Sequence, residues 1–225
     1  MLCSDIKTLI KLGVDELQVE SLKVLPGTQM RLKANEMGLK YSPLPPYEIL
    51  KTSSISLKEI ETTMQISRML DFYYNSKAWQ KITRELTCDN DDFIMRFTGY
   101  LRDSMVLDSP LSLERRGVII YEYCKINHPD KLTDISLAWI EAGFSLKKAP
   151  AGDIQKIKNP EAFLEEGKYR LHIKYGNADP YHRYYLLKSS DRNFIFGYDS
   201  QLHQPSPVFL ATINFTILQK KPAKL

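Results

Sequence analysis

The residue types that could carry chemistry in this chain are few and scattered. Cys3, Cys88 and Cys124 are its three cysteines, and none stands in a CxxC or CxxxCxxC spacing that would gather thiolates on one metal. His128, His172, His182 and His203 offer no i, i+4 pair and no cysteine neighbour, so no metal site is expected from them. A nucleophile elbow, a P-loop and a dinucleotide fingerprint are all absent from the sequence. Ser189-Ser190-Asp191 and Asn90-Asp91-Asp92 read as turn and cap residues. Cys124 has Lys125 beside it, a cation that could lower a thiol pKa. Its place inside a helical pattern reads instead as a buried small hydrophobe. No catalytic residue and no metal ligand is assigned.

Two segments hold more. Tyr, His and Arg are dense over residues 169–185, the mixture of rings and cations that can stack single-stranded nucleic acid. A half-buried antiparallel sheet uses the same residues, and no RNP-type signature accompanies them, so nucleic acid is not expected as a partner. The second segment is Leu22-Lys23-Val24-Leu25-Pro26-Gly27-Thr28. A turn with free backbone amides and a hydroxyl at the C-terminal end of a strand suits a polar or anionic ligand when the strand belongs to a parallel α/β barrel.

The elements that would position these residues follow from hydrophobic period. Residues 4–12 read as the end of an amphipathic helix capped by Gly13, and residues 16–24 as a strand with a slip at Ser21-Leu22 that suggests a bulge. That strand is isolated, because the next strand signal comes near residue 168. Either its partners lie outside this chain, which is the simpler reading, or it pairs with the distant C-terminal strands. A short helix over 29–37 closes at Gly38. Three prolines within Pro43-Leu44-Pro45-Pro46 then predict an extended linker and the best domain boundary.

Beyond it the pattern turns helical. Ser56-Leu57-Lys58-Glu59 is a capping box that opens a long helix over 57–76. Further helices are predicted at about 78–87, 91–106, 110–127 and 131–142. From residue 168 the period becomes two, which predicts strands over 169–175, 183–188, 193–198 and 208–213 joined as a meander.

Lys plus Arg exceed Asp plus Glu by 31 to 27 with the signs interspersed, so no strong field for nucleic acid or anionic lipid is implied. No signal peptide is read, and no apolar run approaches the roughly 20 residues of a membrane span. With an odd number of dispersed cysteines, a soluble, cytoplasmic protein without membrane partners is expected.

The stretch from Asp15 to Arg31, with its strand running into Pro26-Gly27-Thr28, resembles the last part of the barrel in radical S-adenosylmethionine proteins. Ala34-Asn35-Glu36-Met37-Gly38-Leu39-Lys40-Tyr41, Pro45 to Thr52, and Asp71-Phe72-Tyr73-Tyr74-Asn75-Ser76 resemble the join and first long helix of the C-terminal extension in the cobalamin-binding type. The resemblance is close over about residues 14–80 and general beyond. It implies that this chain is the C-terminal fragment of an iron–sulfur oxidoreductase. The 4Fe–4S cluster, S-adenosylmethionine, an optional cobalamin and an unidentified small-molecule substrate would belong to the parent, and none to this chain. The partners implied are the absent N-terminal barrel and cobalamin-binding domain. Lys23, Pro26, Gly27 and Thr28, with Glu20 on the strand, become candidates for lining the barrel mouth.

The expected fold class is α+β: a helical domain followed by a small antiparallel β-meander, preceded by a residual helix–strand unit of a truncated α/β barrel. Residues 1–44 would be the terminal helix–strand–helix of that barrel. Residues 45–225 would be the C-terminal domain, helical over 55–166 and a meander over 168–215. Two functions are compatible with this organisation. One is a lid or docking domain over the barrel mouth, inactive alone. The other is a module that recruits a partner protein or RNA through the aromatic C-terminal sheet.

Overall fold

The structure, a computed structural model, describes residues 2–144, 148–150, 154–158, 181–188, 192–199 and 207–214. The fold class is α+β, with helices in the first two thirds and antiparallel sheets that stay separate in sequence. The chain divides into two compact units, Met1–Arg116 and Gly117–Leu225.

The first unit opens with α1 (Leu2–Leu12), which buries Ile6 and Ile10. Gly13 ends it in the left-handed region at φ 78°, with its N–H on the Leu9 and Ile10 carbonyls at 3.2 and 3.0 Å. The strand expected over 16–24 is realised as an extended run with a single antiparallel bridge, Lys23 to Glu48. Its burial alternates over Leu17, Val19 and Ser21 and slips at Leu22 before Val24 turns in again, as the bulge reading anticipates.

After the Pro-Gly-Thr turn comes α2 (Gln29–Leu32), shorter than expected. The proline-rich segment is no extended linker. It is the loop of a hairpin between β1 (Lys40–Tyr41) and β2 (Ile49–Lys51), with a cis Pro45-Pro46 bond and Tyr47 at φ 60°. The hairpin gathers Ala34, Leu39 and Ile49 into a small core under Met30, Tyr41 and Ile60. Prolines had signalled a break in regular structure correctly; what they do not encode is whether the two sides of the break meet.

The capping box forms as expected. Ser56 Oγ accepts from Glu59 N at 3.3 Å and the Glu59 carboxylate accepts from Ser56 N at 2.8 Å, opening α3 (Leu57–Met69). The helix expected to run on to 76 widens instead into a π-turn over Leu70–Tyr74, closed by Asn75 N on Leu70 O at 2.8 Å. The wider turn puts Leu70, Tyr73 and Tyr74 into the interior together. Then follow α4 (Gln80–Asp89), α5 (Phe93–Asp103) and α6 (Leu113–Asn127), close to the predicted spans. Tyr73 meets Phe97 edge-on at 4.8 Å and Phe93 stacks on Phe97 at 5.3 Å, around a core that also buries Ile66, Met69, Trp79, Ile82 and Leu86. Each such side chain contributes roughly 1.5–3 kcal/mol by leaving water. Buried Thr83 and Thr87 donate back to the Trp79 and Thr83 carbonyls at 2.7 and 2.8 Å, so their hydroxyls cost the core little.

The second unit takes the remainder of α6, a 3-10 turn at Pro129–Lys131 and α7 (Leu132–Glu141). Its sheet has the order β3-β4-β5-β6, all antiparallel: β3 (Ile154–Ile157), β4 (Tyr181–Lys188), β5 (Arg192–Asp199) and β6 (Pro207–Asn214). The last three match the predicted meander, with Leu186 opposite Ile195 and Leu187 opposite Phe194. The strand expected over 169–175 lies outside the described residues. β3 falls in a stretch expected to be helical, because four residues are too few to declare a period. Ile140, Leu187 and Phe194 form the core here, with Leu137 and Ile154 packed against them.

Candidate functional site

The expected barrel-mouth residues sit on an open turn. Leu25-Pro26-Gly27-Thr28 is closed by Thr28 N on Leu25 O at 3.4 Å, with Gly27 at φ 78°, where a glycine follows proline in a type II geometry. Thr28 donates its hydroxyl to Leu25 O at 2.8 Å and accepts from Arg31 N at 3.3 Å, so it caps α2. Glu20, Lys23, Pro26 and Gly27 are exposed and Thr28 is half-buried. The contacts of Thr28 are those of a turn and a helix cap.

Arg31, which sequence reasoning passed over, ties this turn to the hairpin. Its Nη1 donates to Val24 O at 3.2 Å, and its guanidinium lies 5.0 and 5.1 Å from the ring centres of Tyr41 and Tyr47. The signal was faint: one cation ten and sixteen residues before two tyrosines that only the hairpin brings back to it.

The denser constellation is a set of side chains from the π-turn and α4 that hold the backbone of residues 11–17. Tyr74 Oη donates to Val14 O, Gln80 Nε2 to Asp15 O at 2.6 Å and Arg84 Nη2 to Lys11 O at 3.2 Å. Asn75 does more. Its Oδ1 accepts from Leu17 N at 2.9 Å while its Nδ2 donates to Leu17 O at 3.0 Å and to Asp71 at 2.9 Å. On residues 11–17 all four side chains bond main chain, so the grip fixes the path of that segment through its backbone. Burial pushes the Tyr74 hydroxyl above its usual range.

The π-turn is braced from its other side by Arg116. Its Nη1 donates to Phe72 O at 3.1 Å, its guanidinium stands 4.6 Å from the Phe72 ring centre, and its carbonyl accepts from Tyr73 Oη at 3.3 Å. Burial raises the Tyr73 pKa above the usual phenol range and lowers that of Arg116.

Among the described residues, most of the backbone of residues 18–23 is without a partner. Val24 N reaches Tyr47 O at 2.8 Å and Leu22 O receives Ile49 N at 2.9 Å. Between these two bonds the N–H and C=O of Lys23 turn to the opposite edge. Among the described residues, Gln18 to Ser21 and Lys23 make no backbone hydrogen bond, and the half-buried Ser21 has its Oγ without a partner. Leu22 and Leu25 flank this edge, both 47% exposed.

Cys88 is exposed, Cys3 half-buried and Cys124 buried, and desolvation pushes the Cys124 thiol up to about 12. Among the described residues no group of three His, Cys, Asp or Glu side chains is placed to hold a metal ion. No helix among the described residues is long and apolar enough to cross a membrane. Of the aromatic run at 169–185, residues 169–180 lie outside the described residues.

Residues 35–138 match the model of a family described as Protein of unknown function (DUF4080). The similarity takes in the hairpin, the π-turn and all of α3 to α6. No curated protein and no solved structure matches the chain.

Proposed function

We propose that this chain is the C-terminal part of a cytoplasmic radical S-adenosylmethionine iron–sulfur oxidoreductase, and that its helical region is a docking domain that fixes the final unit of the parent's barrel. The observation that carries this is the open backbone edge at Gln18 to Lys23. An extended run whose backbone groups are left without partners is a template for a further strand, and natural proteins rarely leave one uncovered beside exposed leucines. An N-terminal barrel would supply that strand. The similarity over 35–138 falls on the region whose residues resemble the extension of such enzymes, which agrees with the reading.

Of the lid and docking forms of this role, docking is the better supported. Tyr74, Asn75, Gln80 and Arg84 hold the backbone before the extended run, whereas Pro26-Gly27-Thr28 at its far end stays open. In a parallel barrel the reacting face is at the C-terminal ends of strands. A grip at the opposite end stabilises the barrel without covering its mouth. The cluster, S-adenosylmethionine and any cobalamin would be held by the preceding part, and this chain would position the last strand and carry no step of the reaction itself.

The test uses the longer protein that includes the coding sequence upstream of Met1, reconstituted anaerobically. The expected result is cluster absorption, cleavage of S-adenosylmethionine and loss of substrate turnover when residues 47–225 are deleted. No cluster would refute the parent; undiminished turnover after the deletion would refute docking.

A further inference from the structure

We infer that the cleft between the end of α1 and the start of α4 is a binding site for a phosphate group. The cleft holds about 260 Å³, and Gly13, Val14 and Tyr74 are among the residues that line it. Three cations line it: Lys77 in the turn before α4, and Lys81 and Arg84 at i, i+3 on one face of α4. At that volume, just below the range of pockets that take whole drug-sized ligands, one or two phosphate groups fit and a complete nucleotide does not.

Charge balance points to a dianion. Ion pairs among the described residues join Lys7 to Asp91, Arg68 to Asp108 and Arg102 to Asp103, and none involves Lys77, Lys81 or Arg84. Asp15 is the one carboxylate in the lining, so three cations less one anion leave two positive charges around the cleft. A phosphate monoester carries close to two negative charges at neutral pH.

Geometry fits as well. A Cβ on Gly13 would lie 2.8 Å from Arg84 Nη1, so the guanidinium rests directly on the glycine backbone. One of its N–H groups is used on Lys11 O, which fixes the plane of the fork and leaves its remaining donors beside the cleft. Lys77 and Lys81 are exposed, so solvent screens them and the affinity for phosphate alone falls on the order of 1 mM. This site is independent of the parent enzyme proposed above.

The test is an amide NMR titration of the chain with inorganic phosphate and, separately, with pyrophosphate, each at constant ionic strength. Saturable shifts at Gly13, Asp15 and Lys81 are expected with at least one of them; phosphate points to a monoester and pyrophosphate alone to a diphosphate. K77Q/K81Q, which alters only exposed side chains, should weaken binding by about tenfold or more with an unchanged thermal midpoint. No saturable shift with either probe, or equal affinity in K77Q/K81Q, overturns the site.

Discussion

Asn75 pairs with Leu17 as one strand residue pairs with another: its side-chain amide accepts from Leu17 N at 2.9 Å and donates to Leu17 O at 3.0 Å. Leu17 is buried, so both backbone groups would otherwise face a dry environment. A helix-end side chain thereby stands in for a neighbouring strand at the one point where residues 16–24 enter the fold.

Asn75→Ala should therefore destabilise the chain by about 2 kcal/mol, the cost of leaving a buried donor and acceptor unmet. Asn75→Asp should be at least as damaging, because it replaces the donor to Leu17 O with a second acceptor beside Asp71. Chemical denaturation checks both, and an Asp variant as stable as the parent chain would contradict the pairing.

Two glycines separate backbone strain from crowding. Gly13 and Gly27 share φ 78°, but a Cβ at Gly27 meets nothing within 4 Å, whereas at Gly13 it meets the Arg84 guanidinium. Gly27→Ala should cost about 1 kcal/mol, the left-handed penalty alone. Gly13→Ala should cost more, and adding Arg84→Ala should recover less than a full additive loss. A double-mutant cycle with no coupling between positions 13 and 84 would contradict the contact.

Much of this fold could be read from local chemistry. The capping box at Ser56 and Glu59, the glycine stop after α1 and the meander over β4 to β6 all follow from rules that act within a few residues. What could not be read depends on distance. The grip of Tyr74, Asn75, Gln80 and Arg84 has no local signal, because their partners are backbone groups about sixty or more residues earlier. The Pro-Gly-Thr turn drew attention as a ligand loop, and its hydroxyl turns out to be engaged in capping. The π-turn was invisible for another reason: a single inserted residue leaves the hydrophobic period almost unchanged.

The Cys124 thiol is pushed up to about 12 by burial, from a usual value of 9.0. Below about pH 9 both folded and unfolded thiols are protonated and the buried group's contribution is fully present. As pH rises from there toward about 12 the unfolded thiol ionises first, and that contribution is lost. The difference in stability between the parent chain and Cys124→Ala should shrink across this window. At pH 8 a thiol reagent should label exposed Cys88 rapidly and Cys124 only on unfolding. Fast labelling of Cys124 in the native chain would contradict its burial.

The central claim is that residues 18–23 offer a bare strand edge made to be covered, and residue-resolved amide hydrogen exchange tests it most directly. In this chain alone, Leu17, Val24 and Ile49 should be protected while Gln18 to Ser21 and Lys23 exchange at least about a hundredfold faster. In the longer protein that includes the sequence upstream of Met1, the same amides should become as protected as Val24. Protection already present in this chain alone, or an edge that stays unprotected in the longer protein, would contradict the account.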